Sequence, residues 1–201
     1  MAGTGTFAAE IVDWARAAGH EVDGLIEMLD PSRVGMSIDG LPVVAAGHGD
    51  PGRRAILGLG GDREAHWEIL ARQGWRAAAV IHPAASLAGD VEVGEGAAIG
   101  PLAVIGAATG IGSQTILSRG ALVGHHVRIG KFATLNLGVN VGGKSAIGDG
   151  AFVGMGATIL NDVNIGAGAI VGAGSLVLRD VEPGCRVQGA PAVLVAGAPG
   201  D

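Results

Sequence analysis

The chain has 201 residues, of which 48% are hydrophobic, 16% are charged and 38 are glycine, and its formal net charge is −6. This composition excludes a disordered chain, which needs low hydropathy and high charge, and the acidic balance excludes general nucleic-acid binding, which needs a basic face. A single cysteine, Cys185, rules out an intramolecular disulfide, fits a reducing compartment and reads as a half-buried loop residue.

The opening MAGTGTFAAEIVDWARA is not a cleavable signal peptide, and the apolar stretches are too short and glycine-broken to span a bilayer. The reading is a soluble cytoplasmic protein. Gly3-Thr4-Gly5 ahead of a helix has the form of a phosphate-cradling turn. Phe7 to Ala18 carries apolar residues at helical spacing, with Gly19 as a stop. Val22 to Ile26 reads as a strand, Asp30-Pro31-Ser32 as a turn, and Leu41 to Val44 and Ala55 to Leu59 as further strands. Asp62 to Gln73 reads as a helix with Asp62 as N-cap, followed by a last strand from Ala77 to Ile81. Alternating strands and helices imply a small α/β, Rossmann-like domain over residues 1–80. Its glycine turn should follow a buried strand of about five apolar residues, yet only Met1 and Ala2 precede Gly3. The sheet is therefore expected to lack its first strand, leaving a gap and an unpaired edge.

From Ile81 the pattern changes to a period of six. Stepping six residues from Ile81 through Ile99, Ile129 and Ile147 to Val177 meets seventeen consecutive aliphatic residues. The next residue is usually glycine, as at 94, 100, 106, 112, 124, 130, 142, 148, 154, 166 and 172. The residue four after each aliphatic is small or β-branched, from Ala97 and Thr109 to Ala169 and Ser175. Period six means a flat strand and a corner, repeated, and three hexads close one triangular coil. The aliphatics point into a narrow interior, the small residues sit where walls meet, and glycine is expected to relieve left-handed backbone at the turns. At roughly 4.8 Å per stacked strand the prism is roughly 25 Å tall.

The glycine turn and helix, the strand ending LGLGG, Ile81-His82-Pro83-Ala84 leading into the repeats, Val123-Gly124-His125-His126 in mid-solenoid and Gly189-Ala190-Pro191-Ala192 near the end resemble one family. It comprises the sialic acid O-acetyltransferases and the bacillosamine (UDP-4-amino-sugar) N-acetyltransferases. The resemblance implies a left-handed parallel β-helix over residues 81–201, acetyl-CoA as co-substrate, and a homotrimer with active sites between neighbouring prisms. It makes His125 the catalytic base, with His126 beside it, and turns the backbone N–H of Gly143 toward the thioester oxygen. Acetyl-CoA contacts fall by the same resemblance on Gly142, Gly143, Gly154, Met155, Ala190 and Pro191. A nucleotide-linked sugar falls on Gly3, Thr4, Gly5, Glu27, Asp30, Gly58 and Gly60. The chemistry agrees, because transfer from a thioester needs a base near neutrality and a donor for the oxyanion.

This sequence departs from the family pattern in places. His126 stands where an acidic residue commonly follows the catalytic histidine, and Val193 replaces a basic residue, which leaves Arg179 and Arg186 for the CoA phosphates. The usual acid pair of the nucleotide loop reads Glu27-Met28-Leu29-Asp30. His20, His48, His66 and His82 read as surface or junction residues, and adjacent His125 and His126 point to opposite faces of a strand. A three-histidine zinc site, as in some hexapeptide-repeat trimers, is therefore disfavoured and no metal is expected. Acetylation of an amino group on a nucleotide-linked sugar is the first reading and sialic acid-type O-acetylation the second. A non-catalytic trimeric solenoid scaffold or binding protein is the alternative from another class.

Overall fold

A computed structural model describes residues 1–47 and 53–196, so His48 lies outside the described residues. Its opening residues overturn the expected gap. Ala2 bridges in parallel to Ile26 on one side and to Leu57 on the other. The Ala2 and Gly3 N–H groups donate to the Ile56 and Ile26 carbonyls at 2.9 and 2.8 Å, and Ile26 and Gly58 donate back to Met1 and Ala2 at 2.7 and 2.8 Å. The slot is central rather than an edge. Outward on one side lie β1 (Leu25–Glu27), β3 (Leu41–Ala45) and β2 (Ser37–Ile38); on the other, β4 (Arg54–Ala55) pairs with β5 (Arg76–Ala77). Two residues suffice because both neighbouring segments supply ladder hydrogen bonds, and Ala2 is wholly buried.

Around this sheet the predicted elements hold with shifted ends. Helix α1 (Thr6–Ala17) starts after Gly5, buries Ile11, Val12 and Trp14, and stops before Gly19 at φ 82°. Helix α2 (Arg63–Arg72) is capped by Asp62, which accepts the Ala65 N–H at 3.0 Å. The stretch read as one strand from Ala77 to Ile81 divides, since Val80–Ile81 pairs with Ala98–Ile99 of the solenoid. The hairpin from β2 to β3 was not expected; Asp39-Gly40, with φ 50° and 76°, forms its turn.

The remainder is a left-handed parallel β-helix with three walls. The first wall begins at Ser86–Leu87, the second at Glu92–Val93 and the third at Val80–Ile81. Strands pair in parallel one coil apart, Val123 with Val141 and Ile129 with Ile147. The predicted register holds: Ile99, Ile105, Val123, Ile129, Ile147, Val153, Ile165 and Val171 are all 0–4% exposed. Ile81 is 38% exposed, since no coil lies above the first rung. The small position is equally buried, and its hydroxyls bond to corners, as Thr109 Oγ1 does to the Gly124 carbonyl at 2.9 Å.

One expectation about glycine needs correction. The left-handed residue is not the one after the aliphatic but the third after it, where Leu102, Ala108, His126 and Lys144 have φ of 55–61° beside glycines such as Gly120 and Gly156. The glycine directly after the aliphatic answers to stacking instead. A Cβ on Gly112 would fall 2.5 Å from the Gly130 carbonyl carbon, and one on Gly148 2.5 Å from the Ala167 nitrogen. Helix α1 packs on the outer face of the third wall, against Val80, Ala98 and Ile116. Gly100 leaves room there for the Trp14 ring. Among the described residues no helix is long and apolar enough to cross a membrane.

Candidate active site

His125 and His126 occupy the corner between the first and second walls, not a strand, so the opposite-face argument fails. The corner forces His126 into the left-handed region at φ 57°, which turns its side chain back toward its neighbour. The two Nδ1 atoms lie 3.0 Å apart, with the rings edge to face at 88°. One nitrogen must donate and the other accept, and the arrangement in which His125 donates through Nδ1 leaves its Nε2 unprotonated. That Nε2 covers Gly143 on the next coil: a Cβ there would lie 2.9 Å from it. Only glycine admits the ring at this position. Thr109 secures the corner from inside, donating to the Gly124 carbonyl and accepting the Val127 N–H at 3.2 Å.

Gly142 and Gly143 thus sit beneath His125, and Arg179 lies further down the same edge. The Gly143 N–H, which the resemblance turns toward a thioester, donates to the Asn161 Oδ1 at 2.8 Å. Gly154 and Met155 lie on the other edge of the first wall, after strand Phe152–Val153. Ala190 and Pro191 follow the third-wall strand Arg186–Gln188 and precede Val193–Ala196, which pairs antiparallel with it. A cavity of about 510 Å³ at this end is lined by Val177, Arg179, Cys185, Pro191 and Val193. The cofactor residues expected from sequence are therefore divided between two edges of one prism.

A second site lies at the start of α1. Thr4, Gly5, Glu27, Asp30, Gly58 and Gly60 line a cavity of about 300 Å³, together with Phe7 and Arg33. Gly3 stands behind it at φ 121°, where a Cβ would fall 2.8 Å from the Gly58 carbonyl oxygen. Glu27 organises the loop, accepting from the Thr4 hydroxyl and from the Leu29 and Asp30 N–H groups at 2.7 and 2.9 Å. Burial works to raise its pKa, but the bonds from Thr4, Asp30, Leu29 and Met28 outweigh it and hold the carboxyl below its ordinary value. Arg33 was missed in the sequence. It reaches the Thr4 carbonyl at 3.2 Å and Asp30 at 3.3 Å, and its signal was the cation two residues after Pro31 in the turn.

Phe7, Leu59 and Gly60 also line a cavity of about 460 Å³ between this unit and the third wall. Arg63, only 6% exposed, borders it and ties α2 to stacked solenoid segments through the Gln114 carbonyl, the Phe132 carbonyl at 3.4 Å and the Thr134 hydroxyl at 3.3 Å. Burial lowers its pKa to about 10, which still leaves it charged at neutrality. Among the described residues no three His, Cys, Asp or Glu side chains converge as metal ligands.

The comparisons with known proteins bear on this arrangement. A family model described as bacterial transferase hexapeptide (six repeats) matches residues 144–179. The chain is 31% identical to PerB from Caulobacter crescentus, solved with CoA and GDP-perosamine, with 96% of this chain and 94% of that one covered and a TM-score of 0.77. A histidine-to-alanine variant of GDP-perosamine N-acetyltransferase from the same organism, also with CoA and GDP-perosamine, is 29% identical over 98% and 95% of the chains, with a TM-score of 0.90. The acetyltransferase domain of PglB from Neisseria gonorrhoeae FA1090, with acetyl coenzyme A, shares the fold at 24% identity over 96% and 97% of the chains, with a TM-score of 0.87. Among curated proteins none matches the chain.

Proposed function

Since the chain belongs to the hexapeptide-repeat acyltransferase family, we propose that it is an acetyl-CoA-dependent N-acetyltransferase of a nucleotide-linked amino sugar. The observation that carries this reading is the His125 imidazole held across Gly143 on the solenoid edge. In this reading the His125 Nε2 removes the proton as the sugar amine attacks the thioester carbonyl. The amine forms the amide bond, the carbon–sulfur bond breaks, and the departing thiolate takes the proton from the imidazolium. His126 holds the ring through Nδ1, the place a carboxylate takes in the family pattern.

Residues 1–80 hold the nucleotide-linked sugar, with its phosphates at Gly3-Thr4-Gly5, where the N–H groups opening α1 favour negative charge. Residues 81–201 hold acetyl-CoA. The geometry supports a homotrimer, because the amino-terminal unit packs on the third wall and His125 stands on the opposite edge of the triangle. A sugar held by one chain then meets the histidine of a neighbour, and the divided set of cofactor residues meets one acetyl-CoA from two prisms. A cytoplasmic location fits the single cysteine and the co-substrate. The test is thiol release from acetyl-CoA against GDP-perosamine, a UDP-4-amino-sugar and free sialic acid. Turnover only with sialic acid would replace the reading by O-acetylation, and turnover with none would leave the scaffold.

A further inference from the structure

We propose that the oxyanion donor of this enzyme is the side-chain amide of Asn161, in place of the backbone N–H of Gly143; the inference rests on the acetyltransferase reading above. That N–H is already committed to the Asn161 Oδ1 at 2.8 Å. An amide whose oxygen accepts such a bond is polarised so that its N–H groups become better donors. The donor is thereby carried outward from the backbone, to the side of Gly143 that the His125 ring does not cover.

The use of the other asparagines supports this assignment. The sequence has four, Asn136, Asn140, Asn161 and Asn164. Asn136 donates its Nδ2 to the Val153 carbonyl at 2.9 Å, Asn140 to the Gly138 carbonyl at 3.1 Å and Asn164 to Asp180 at 3.0 Å. Among the described residues Asn161 donates to nothing, and its side chain is exposed on the edge that carries His125. Its corner is secured from within, since the Ser145 hydroxyl donates to the Leu160 carbonyl at 2.8 Å and accepts the Val163 N–H at 3.2 Å. The equivalent brace elsewhere in the solenoid has different chemistry. The Lys131 N–H is taken by the Asp149 Oδ1 at 2.9 Å, a carboxylate that accepts and offers no donor. Beside His125 the same brace is an amide, which does both.

In the transfer step the amine attacks the thioester carbon and the carbonyl π pair moves onto oxygen. That oxygen is then stabilised by the Asn161 Nδ2–H until the carbon–sulfur bond breaks. The test measures kcat with acetyl-CoA and GDP-perosamine, alongside the acetyl-CoA Kd and the melting temperature. Asn161→Asp keeps the acceptor for Gly143 but puts a carboxylate oxygen where the donor stood, and Asn161→Ala removes both. Both are expected to lower kcat, Asn161→Asp by about 100- to 1000-fold, the usual effect of losing one oxyanion donor. Melting temperature and Kd should barely change. Asp149→Ala removes a brace of the same geometry and should leave kcat at the wild-type level. An Asn161→Ala enzyme with wild-type kcat overturns the inference, as does an Asp149→Ala enzyme that loses as much. A wild-type protein that releases no thiol with any of the three acceptors overturns the acetyltransferase reading, and this inference with it.

Discussion

Because His125 and His126 meet through their Nδ1 atoms at 3.0 Å, neither residue can be replaced without consequence for the other. A general base contributes about 10²–10⁴-fold in rate, so His125→Ala should lower kcat at least a hundredfold while leaving the acetyl-CoA Kd nearly unchanged. His126→Ala should cost about one order of magnitude, because the base remains but loses the partner that fixes its tautomer. A larger loss in the second variant would make His126 the base, and unchanged thiol release in both would end the general-base assignment for each. Glu27 offers a pH test of the other site. Its folded pKa lies below the ordinary 4.5, so its stabilising effect is complete above that value and is lost as pH falls beneath it, through the lower folded value. All three tryptophans, Trp14, Trp67 and Trp75, lie in the amino-terminal unit, so their fluorescence reports its unfolding. In Thr4→Val this acid transition should move to higher pH, because a bond to the ionised carboxylate is gone.

Among the elements, the two glycine positions of the hexad separate two physical requirements. Gly112→Ala should destabilise strongly, since its Cβ would meet backbone of the next coil at 2.5 Å, and backbone cannot rotate away. Gly156→Ala has open space but a φ of 66°, so its cost is the left-handed penalty of roughly 1–2 kcal/mol. Chemical denaturation should rank them in that order. Ile129→Asp, which places a charge where a side chain is 4% exposed, should abolish soluble expression. The period of six was legible because every coil repeats the same three constraints, and eight inward positions came out buried. The division of labour between the two glycine positions was not legible, since composition at each says nothing about φ or about distance to the next coil. Met1 and Ala2 are too few to display a strand periodicity, so their central slot was read as empty. The histidine pair was placed on a strand because the corner could not be located within the hexad. Asn161 was passed over, although it follows Gly143 by the same coil spacing that separates Gly143 from His125, because no family motif includes it.

For the molecule as a whole, the decisive relation is that the pocket at the start of α1 and His125 stand on opposite sides of one prism. Sedimentation should give a trimer, and a clean monomer would remove the basis for a shared site. A sharper experiment uses two inactive chains. His125→Ala keeps its pocket at the start of α1, whereas Gly60→Trp fills that pocket from a position where an added Cβ meets nothing within 4 Å, and keeps its histidine. Each variant alone should be inactive. In mixed trimers assembled from equal amounts, a site is restored whenever an intact pocket on one chain faces an intact histidine on its neighbour. Random assembly makes that about a quarter of all sites in a cyclic three-fold arrangement. A site built within one chain would give none, because every chain in the mixture carries a defect. Recovery near a quarter of the wild-type rate after co-refolding, and none after mixing trimers already formed, is the expected result. Complete inactivity of the co-refolded mixture, with trimers present, would return pocket and base to the same chain and require a large displacement of the amino-terminal unit.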